Sequence, residues 1–240
     1  MSNTFFHFKQ FTIHQQHAAM KVTTDACLFG AVLAEAVKGK HISRVLDIGA
    51  GTGLLSLMIA QETAASIDAI EIDEAAAMEA QQNFNASPWK EQLHLFTADI
   101  KDLNQDPYDL IFSNPPFYEQ DLLSPDRQKN AAKHDSTLTL DVLLEKAVEL
   151  LAPGGQLAIL LPFHRLEYCV DLARQQNLFL SKKIQVKHTA AHTYFRCILF
   201  FEKTSTTTQE EEINIKDETN AYTWRFVELL KGYYLHLPEL

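Results

Sequence analysis

Short, mainly apolar runs alternate with amphipathic stretches through most of the chain. Arg44–Ile48, Ile67–Ile72, Leu93–Ala98, Tyr108–Ser113 and Gln156–Leu161 read as buried strands bounded by turn residues. Helical spacing lies between them at Leu54–Gln61, Glu74–Asn85, Leu138–Leu151 and Arg165–Gln176. Pro153-Gly154-Gly155 closes the third of these. Lys183–His188 and Phe195–Glu202 add two strands. Their connection, Thr189–Tyr194, is too short for a crossover, so this pair is expected to be antiparallel. Strand and helix in alternation predict an α/β protein with a doubly wound, mixed sheet of about seven strands, the antiparallel pair lying toward the C-terminus.

The flanks read differently. Phe6, Phe8, Phe11 and Ile13 alternate around Lys9-Gln10, which predicts a short hairpin. Thr24-Asp25 precedes an apolar-periodic stretch to Val37, a helix with these residues at its N-cap. Residues 204–220 are polar and acidic and are expected to be a flexible linker. Helical periodicity returns over Ala221–Tyr234. The expected organisation is therefore a hairpin and helix over 1–37, the α/β domain over 38–203, the linker over 204–220 and a C-terminal helix over 221–240.

Composition narrows the classes. With 240 residues, 46% of them hydrophobic, the chain can bury a full core, and coiled-coil, collagen-like and disordered readings fall away. A formal net charge of −10 argues against non-specific binding of polyanions and leaves room only for local basic patches. Cys27, Cys169 and Cys197 are far apart and show no CxxC spacing, which suits buried thiols in a reducing compartment better than disulfides or zinc. His14 and His17 have i, i+3 spacing but no third ligand, so no metal is expected. There is no run of about 18 apolar residues and no basic-then-apolar leader, so a cytoplasmic protein without a membrane span is expected.

The strongest local signal is Val45-Leu46-Asp47-Ile48-Gly49-Ala50-Gly51-Thr52-Gly53, a strand running into glycines and then a helix. Glycines allow the tight turn and let a ligand approach the main chain. The spacing of Gly49, Gly51 and Gly53 is G-x-G-x-G, unlike a nicotinamide fingerprint. Asp47 would lie close to a pyrophosphate's negative charge, but it suits a cationic or amino-bearing ligand. Glu71, ending the next strand, suits two ribose hydroxyls. Asp99, after the third, can accept from an adenine amino group. Three acceptors at three consecutive strand ends describe a pocket for a nucleoside without phosphate. Asp73 is expected to cap the following helix.

The second signal, Ser113-Asn114-Pro115-Pro116-Phe117, ends the fourth strand. In an open α/β sheet, ligands bind outside the carboxyl ends of the strands, so this motif should face the same cavity. An amine conjugated to a ring is a poor nucleophile. Two acceptors on its hydrogens, the Asn114 side-chain oxygen and the Pro115 carbonyl, draw it toward a tetrahedral geometry. Pro115 and Pro116 fix the turn, and Phe117 offers a face for a planar substrate.

D-I-G-A-G-T-G-L, with Glu71 and Asp99, resembles the class I S-adenosylmethionine-dependent methyltransferases over roughly residues 40–202. That resemblance implies a Rossmann-like sheet, S-adenosylmethionine as cofactor, and Asp47, Gly49, Gly51, Gly53, Glu71, Asp99 and Asn114 around it. The Asn-Pro-Pro-Phe motif resembles that of methyltransferases acting on adenine N6, guanine N2 or a glutamine amide. Phe8-Lys9-Gln10-Phe11 through Ala19-Met20-Lys21-Val22-Thr23-Thr24-Asp25 resembles the N-terminal signature of the bacterial tRNA1(Val) (adenine(37)-N6)-methyltransferase family. This implies a tRNA partner, a cover over the cofactor from residues 1–37, and Thr24 and Asp25 beside the methionine moiety. A guanine-N2 enzyme of ribosomal RNA and a non-catalytic, cofactor-binding RNA assembly factor are the alternatives. Arg127, Lys129 and Lys133 in the 118–136 loop, and Lys182, Lys183, Lys187 and Arg196, are the expected RNA contacts. Trp224, Phe226, Tyr233 and Tyr234 are expected to dock the C-terminal helix on the domain.

Overall fold

A computed structural model describes residues 3–16, 20–116 and 138–238. The chain opens with an antiparallel hairpin, β1 (Phe5–His7) and β2 (Thr12–His14), whose connection bends at Lys9-Gln10 as the alternation predicts. Helix α1 (Thr24–Val37) follows, then β3 (Arg44–Ile48), α2 (Leu54–Ala60), β4 (Ser66–Glu71), α3 (Glu74–Asn85), β5 (Leu93–Thr97) and β6 (Tyr108–Ser113). After the gap come α4 (Leu140–Leu150), β7 (Leu151–Pro162), α5 (Leu166–Gln175), β8 (Phe179–Lys187), β9 (Arg196–Glu202), β10 (Gln209–Asn214) and α6 (Trp224–Leu230).

The main sheet has eight strands in the order β10-β8-β9-β7-β6-β3-β4-β5. Every neighbouring pair is parallel except those made by β9, which runs against both β7 and β8. The expected pairing of the last two strands of the α/β unit is therefore present, with β9 inserted between β7 and β8. From β3 the chain builds outward through β4 and β5, then returns to β3's other side as β6. The topological switch lies between β3 and β6, where open α/β sheets form their ligand crevice.

Near-continuous apolar strands need cover on both faces, and both are covered. One layer holds α1, α2, α6 and Phe84 of α3, with the hairpin's Phe8, Phe11 and Ile13. The other holds α4 and α5. All three cysteines are free and buried, and burial pushes each thiol up to about 12, which suits packing rather than chemistry.

Three expectations are corrected. Residues 204–220 are not simply a linker, because 209–214 form an eighth sheet strand, parallel to β8. Its acidic composition concealed a strand. Ile213 and Ile215 alternate inward and are buried, while the glutamates meet the lysines of β8. The cap of α1 is Thr23, whose side chain accepts from Ala26 N; Thr24 is the first helical residue and Asp25 lies in the first turn. The Pro153-Gly154-Gly155 segment belongs to an irregular start of β7, where the register against β6 shifts. A Cβ on Gly155 would stand 2.9 Å from the Tyr108 carbonyl oxygen, so the two strands meet there only through glycine.

The C-terminal segment closes the molecule. Phe226 and Leu230 of α6 are fully buried, and α6 packs on α1. Beyond the helix, Tyr234 bridges to Phe8 and Lys9 N donates to the Tyr233 carbonyl at 2.8 Å, so the two ends of the chain are joined. The buried Tyr233 hydroxyl donates to the Met58 carbonyl at 3.0 Å, one of the last four carbonyls of α2, which lack a partner within the helix. Tyr233→Phe removes that bond and should cost about 1 kcal/mol. Thermal unfolding should show a midpoint about 2–4 °C lower. An unchanged midpoint would mean that the hydroxyl contributes nothing.

Candidate active site

The loop after β3 is shaped by backbone conformation. Gly49, Gly51 and Gly53 have φ of 76°, 55° and 77°, the left-handed region that favours glycine. Nothing lies within 4 Å of where a Cβ would stand on Gly49 or Gly51, so their outer faces are open. At Gly53 a Cβ would meet the Phe84 ring at 2.4 Å, so this glycine is also needed for close packing. Gly49 N and Ala50 N both donate to the Ile70 carbonyl at the end of β4, at 2.9 and 3.1 Å.

The expected acceptors stand around this loop. Glu71 accepts from Gly51 N at 2.8 Å through one oxygen and from Asp73 N at 2.9 Å through the other. Each oxygen keeps a lone pair for a further donor. Asp73 caps α3, accepting from Ala76 N at 2.8 Å, as expected of it. Asp99 lies just past the end of β5 and accepts from Lys101 N at 3.0 Å, capping a short 3-10 turn. Asp47 is fully buried at the end of β3. Its Oδ2 accepts from the Ser56 hydroxyl at 2.7 Å, while Oδ1 has no partner among the described residues. Burial, with the nearby Glu71 charge adding to it, pushes the Asp47 carboxyl up to about 7 against the pull of Ser56.

Across the switch point, the Ser113 hydroxyl donates to the Ile48 carbonyl at 2.8 Å and ties the end of β6 to the end of β3. Asn114 follows directly. Its Oδ1 is buried and, among the described residues, has no hydrogen-bond partner. Pro115 is buried and Pro116 exposed. Two orphaned acceptors, Asp47 Oδ1 and Asn114 Oδ1, thus sit at the carboxyl ends of adjacent strands. A buried acceptor without a donor is costly, so the pair is consistent with a site built to receive donors from a ligand.

Sequence reasoning missed the residue that holds the parts together. Asn83 on α3 is buried; its amide accepts from His14 N at 2.9 Å and donates to the His14 carbonyl at 3.0 Å and the Thr52 carbonyl at 2.9 Å. One side chain fastens hairpin, helix and glycine loop. Its burial beside Phe84 is the only signal, and that is a structural one. Ile72, directly after Glu71, is 52% exposed and adds an apolar surface beside the acceptors.

Other predicted site residues are held in ion pairs. Asp25 Oδ2 accepts from Arg196 Nε at 2.7 Å, so an expected cofactor contact and an expected RNA contact form one ion pair joining α1 to β9. Lys182, Lys183 and Lys187 pair with Glu211, Glu210 and Glu212 of β10 at 2.9, 3.1 and 3.0 Å. The positive charge of these three lysines is cancelled by strand β10, within the 204–220 segment expected to be a linker. Phe117, Arg127, Lys129 and Lys133 lie outside the described residues. Among the described residues no group of three or more His, Cys, Asp or Glu side chains could hold a metal ion, and no helix is long and apolar enough to cross a membrane.

Residues 25–175 match the model of the methyltransferase small domain family. A tRNA1(Val) (adenine(37)-N6)-methyltransferase of Tolumonas auensis is 38% identical over 234 residues, covering 97% of each chain. That of Dyadobacter fermentans is 39% identical over 244 aligned positions, covering 97% of this chain and 98% of the relative. Among solved structures, a predicted O-methyltransferase of Agrobacterium tumefaciens, protein Atu636, superposes with a TM-score of 0.65. It is 14% identical and covers 90% of this chain and 100% of that one, a likeness of fold.

The raised Asp47 carboxyl has a consequence for stability. Between about pH 4, where a free aspartate titrates, and about pH 7, the folded protein holds a proton that the unfolded chain has lost. Stability from this group therefore falls as pH rises through that window. Asp47→Asn removes the effect, so its melting temperature should gain on the wild type's as pH is raised across it. Parallel curves of melting temperature against pH would refute the assignment.

Proposed function

Because the chain belongs to the tRNA1(Val) (adenine(37)-N6)-methyltransferase family and carries the methyltransferase small domain, we propose that it methylates the N6 amino group of adenine 37 in tRNA1(Val), with S-adenosylmethionine as methyl donor. The observation that carries this reading is the pair of orphaned acceptors at the ends of the adjacent strands β3 and β6, Asp47 Oδ1 and Asn114 Oδ1, beside an open glycine loop.

The residues present fit the cofactor. Glu71 keeps acceptor capacity for the ribose hydroxyls, Asp99 for the adenine amino group, and Ile72 gives an apolar face to the purine. Asp47 and the open backbone of Gly49, Gly51 and Gly53 receive the amino-acid end. Thr24 and Asp25, at the start of α1, would receive the methionine moiety, Asp25 doing so while held by Arg196. The hairpin, locked to the glycine loop through Asn83, covers the pocket's edge. When bound, the cofactor supplies an electrophilic sulfonium methyl group.

The substrate side rests on Asn114-Pro115-Pro116-Phe117. Asn114 Oδ1 and the Pro115 carbonyl accept the two hydrogens of the adenine N6 amine. That concentrates the lone pair on nitrogen and aims it, so that proximity and orientation do most of the work. The buried Pro115 keeps the turn from relaxing, and Phe117 stacks on the flat base. No strong general base is needed, because the nitrogen becomes acidic once alkylated and gives up its proton afterwards. Adenine 37 lies in the anticodon loop and is unpaired, so bringing it into the site costs less than extruding a base from a duplex. A tRNA substrate places the protein in the cytoplasm.

A labelled methyl-transfer assay on unmodified tRNA, ribosomal RNA and DNA, followed by nucleoside digestion, tests the reading. N6-methyladenosine from tRNA alone is expected. N2-methylguanosine from ribosomal RNA would move the substrate assignment and leave the Asn114 chemistry standing. Asn114→Ala should abolish transfer while calorimetry still shows cofactor binding, and Glu71→Ala should weaken that binding about tenfold or more, a hydrogen-bonded carboxylate's share. Turnover retained in Asn114→Ala would sink the mechanism.

A further inference from the structure

The sheet's upper edge is uneven beside Asn114. Strand β6 stops at Ser113, opposite Ile159 of β7. Strand β7 continues to Pro162, where it is paired with Arg196 of β9, and β9 is in turn paired with Val186 of β8. Three further residues at about 3.3 Å each raise this part of the sheet roughly 10 Å above the Asn114 turn. A wall therefore stands next to the candidate active site, and its crest is rich in rings.

Phe163 and Tyr194 lie side by side there, their centroids 4.8 Å apart, both partly exposed. Next along, His188 stacks on Phe195 at 3.9 Å with an interplanar angle of 10°, and the imidazole is exposed. In the turn that leaves β7, the Arg165 guanidinium lies 4.9 Å over the Tyr168 ring, which is 49% exposed. The backbone beneath is fixed: Phe163 N donates to the Phe195 carbonyl and Phe195 N to the Val186 carbonyl, at 3.1 and 3.0 Å. Lys187 stands over Tyr194 but is paired with Glu212, which also accepts from the Tyr194 hydroxyl. The crest is thus aromatic with a guanidinium at one end, and its net positive charge is small.

We propose that this crest, with Phe163 and Tyr194 at its centre and Arg165-Tyr168 at its end, is a stacking platform for the unpaired nucleotides that flank the target base. The inference rests on an RNA substrate at Asn114. Its continuity with the site argues for this occupant: a base lowered to Asn114 draws its neighbours across the top of the adjoining wall. Exposed rings held on a rigid edge bind bases through their faces, without needing the strong positive field that this acidic chain lacks. The paired lysines of β8 then keep the sheet edge together and do not grip phosphate.

The test is fluorescence anisotropy with an unmodified tRNA1(Val) transcript, alongside calorimetry with S-adenosylmethionine and methyl-transfer kinetics. The double variant Phe163→Ala/Tyr194→Ala should raise both Kd and KM for the transcript about tenfold or more, with cofactor affinity retained. Tyr194→Phe, which keeps the ring and loses the bond to Glu212, should bind like the wild type. Transcript affinity unchanged in the double variant, with the wild type active, overturns the platform alone. Should the double variant lose cofactor binding as well, Tyr168→Ala on the exposed end decides: a severalfold weaker Kd supports the platform and an unchanged one refutes it. A wild type that modifies and binds no RNA removes both this inference and the function on which it rests.

Discussion

The left-handed backbone at Gly49, Gly51 and Gly53 is the constraint from which the site takes its shape. Three such residues within five positions make the chain double back after β3, and each reversal is secured by a different neighbour. The end of β4 receives the amides of Gly49 and Ala50, Glu71 receives that of Gly51, and Asn83 holds the carbonyl of Thr52. Phe84 fills the space that a side chain on Gly53 would occupy. The loop is therefore clamped from beneath and from one side while its outer face stays open. The ligand side is shaped before any ligand arrives, which lowers the ordering cost of binding.

The same clamp explains why the ends of the chain matter. The hairpin reaches the loop through Asn83 on one side and meets the C-terminal segment at Tyr233 and Tyr234 on the other. Tyr233 closes the circuit by donating to α2, the helix that the glycine loop begins. Residues far apart in sequence thus form one contiguous support around the loop. Loosening the C-terminal segment would be felt at the candidate site through packing, without any residue there being changed.

What was legible in the sequence follows from how local each signal is. The glycine loop, Glu71, Asp73 as a cap, and Asn114 after its strand were readable because conformation and chemistry sit within a few residues of each other. The strand alternation also carried the topology, including the reversed β9, because connection length alone forbids a crossover there. Strand β10 was not readable. Glu210, Glu211 and Glu212 look like a solvated tail until Lys182, Lys183 and Lys187 are seen beside them, and that pairing is a fact of register between distant strands. The link between Asp25 and Arg196 was hidden in the same manner: each suggested a ligand of its own, and the two form an ion pair across the fold. Asn83 gave no local signal at all, since an asparagine inside a helix ordinarily points to solvent.

Charge therefore has to be read after pairing. Of the acids that give the chain its net −10, those on β10 are spent on lysines, while Asp47, Glu71 and Asp99 lie at or just past the ends of β3, β4 and β5. Such an acceptor-rich set of strand ends suits a cofactor that presents hydroxyl, amino and sulfonium groups and carries no phosphate. The proposed crest meets the polyanion farther along the same edge, where affinity can come from ring faces. The taller half of the sheet, beginning at β7, is the first surface past the Asn114 turn. The proposed separation of an acceptor pocket over β3–β5 from an aromatic crest over β7–β9, with Asn114 at the seam, would let an acidic protein bring a nucleoside-like cofactor and an RNA base to one point.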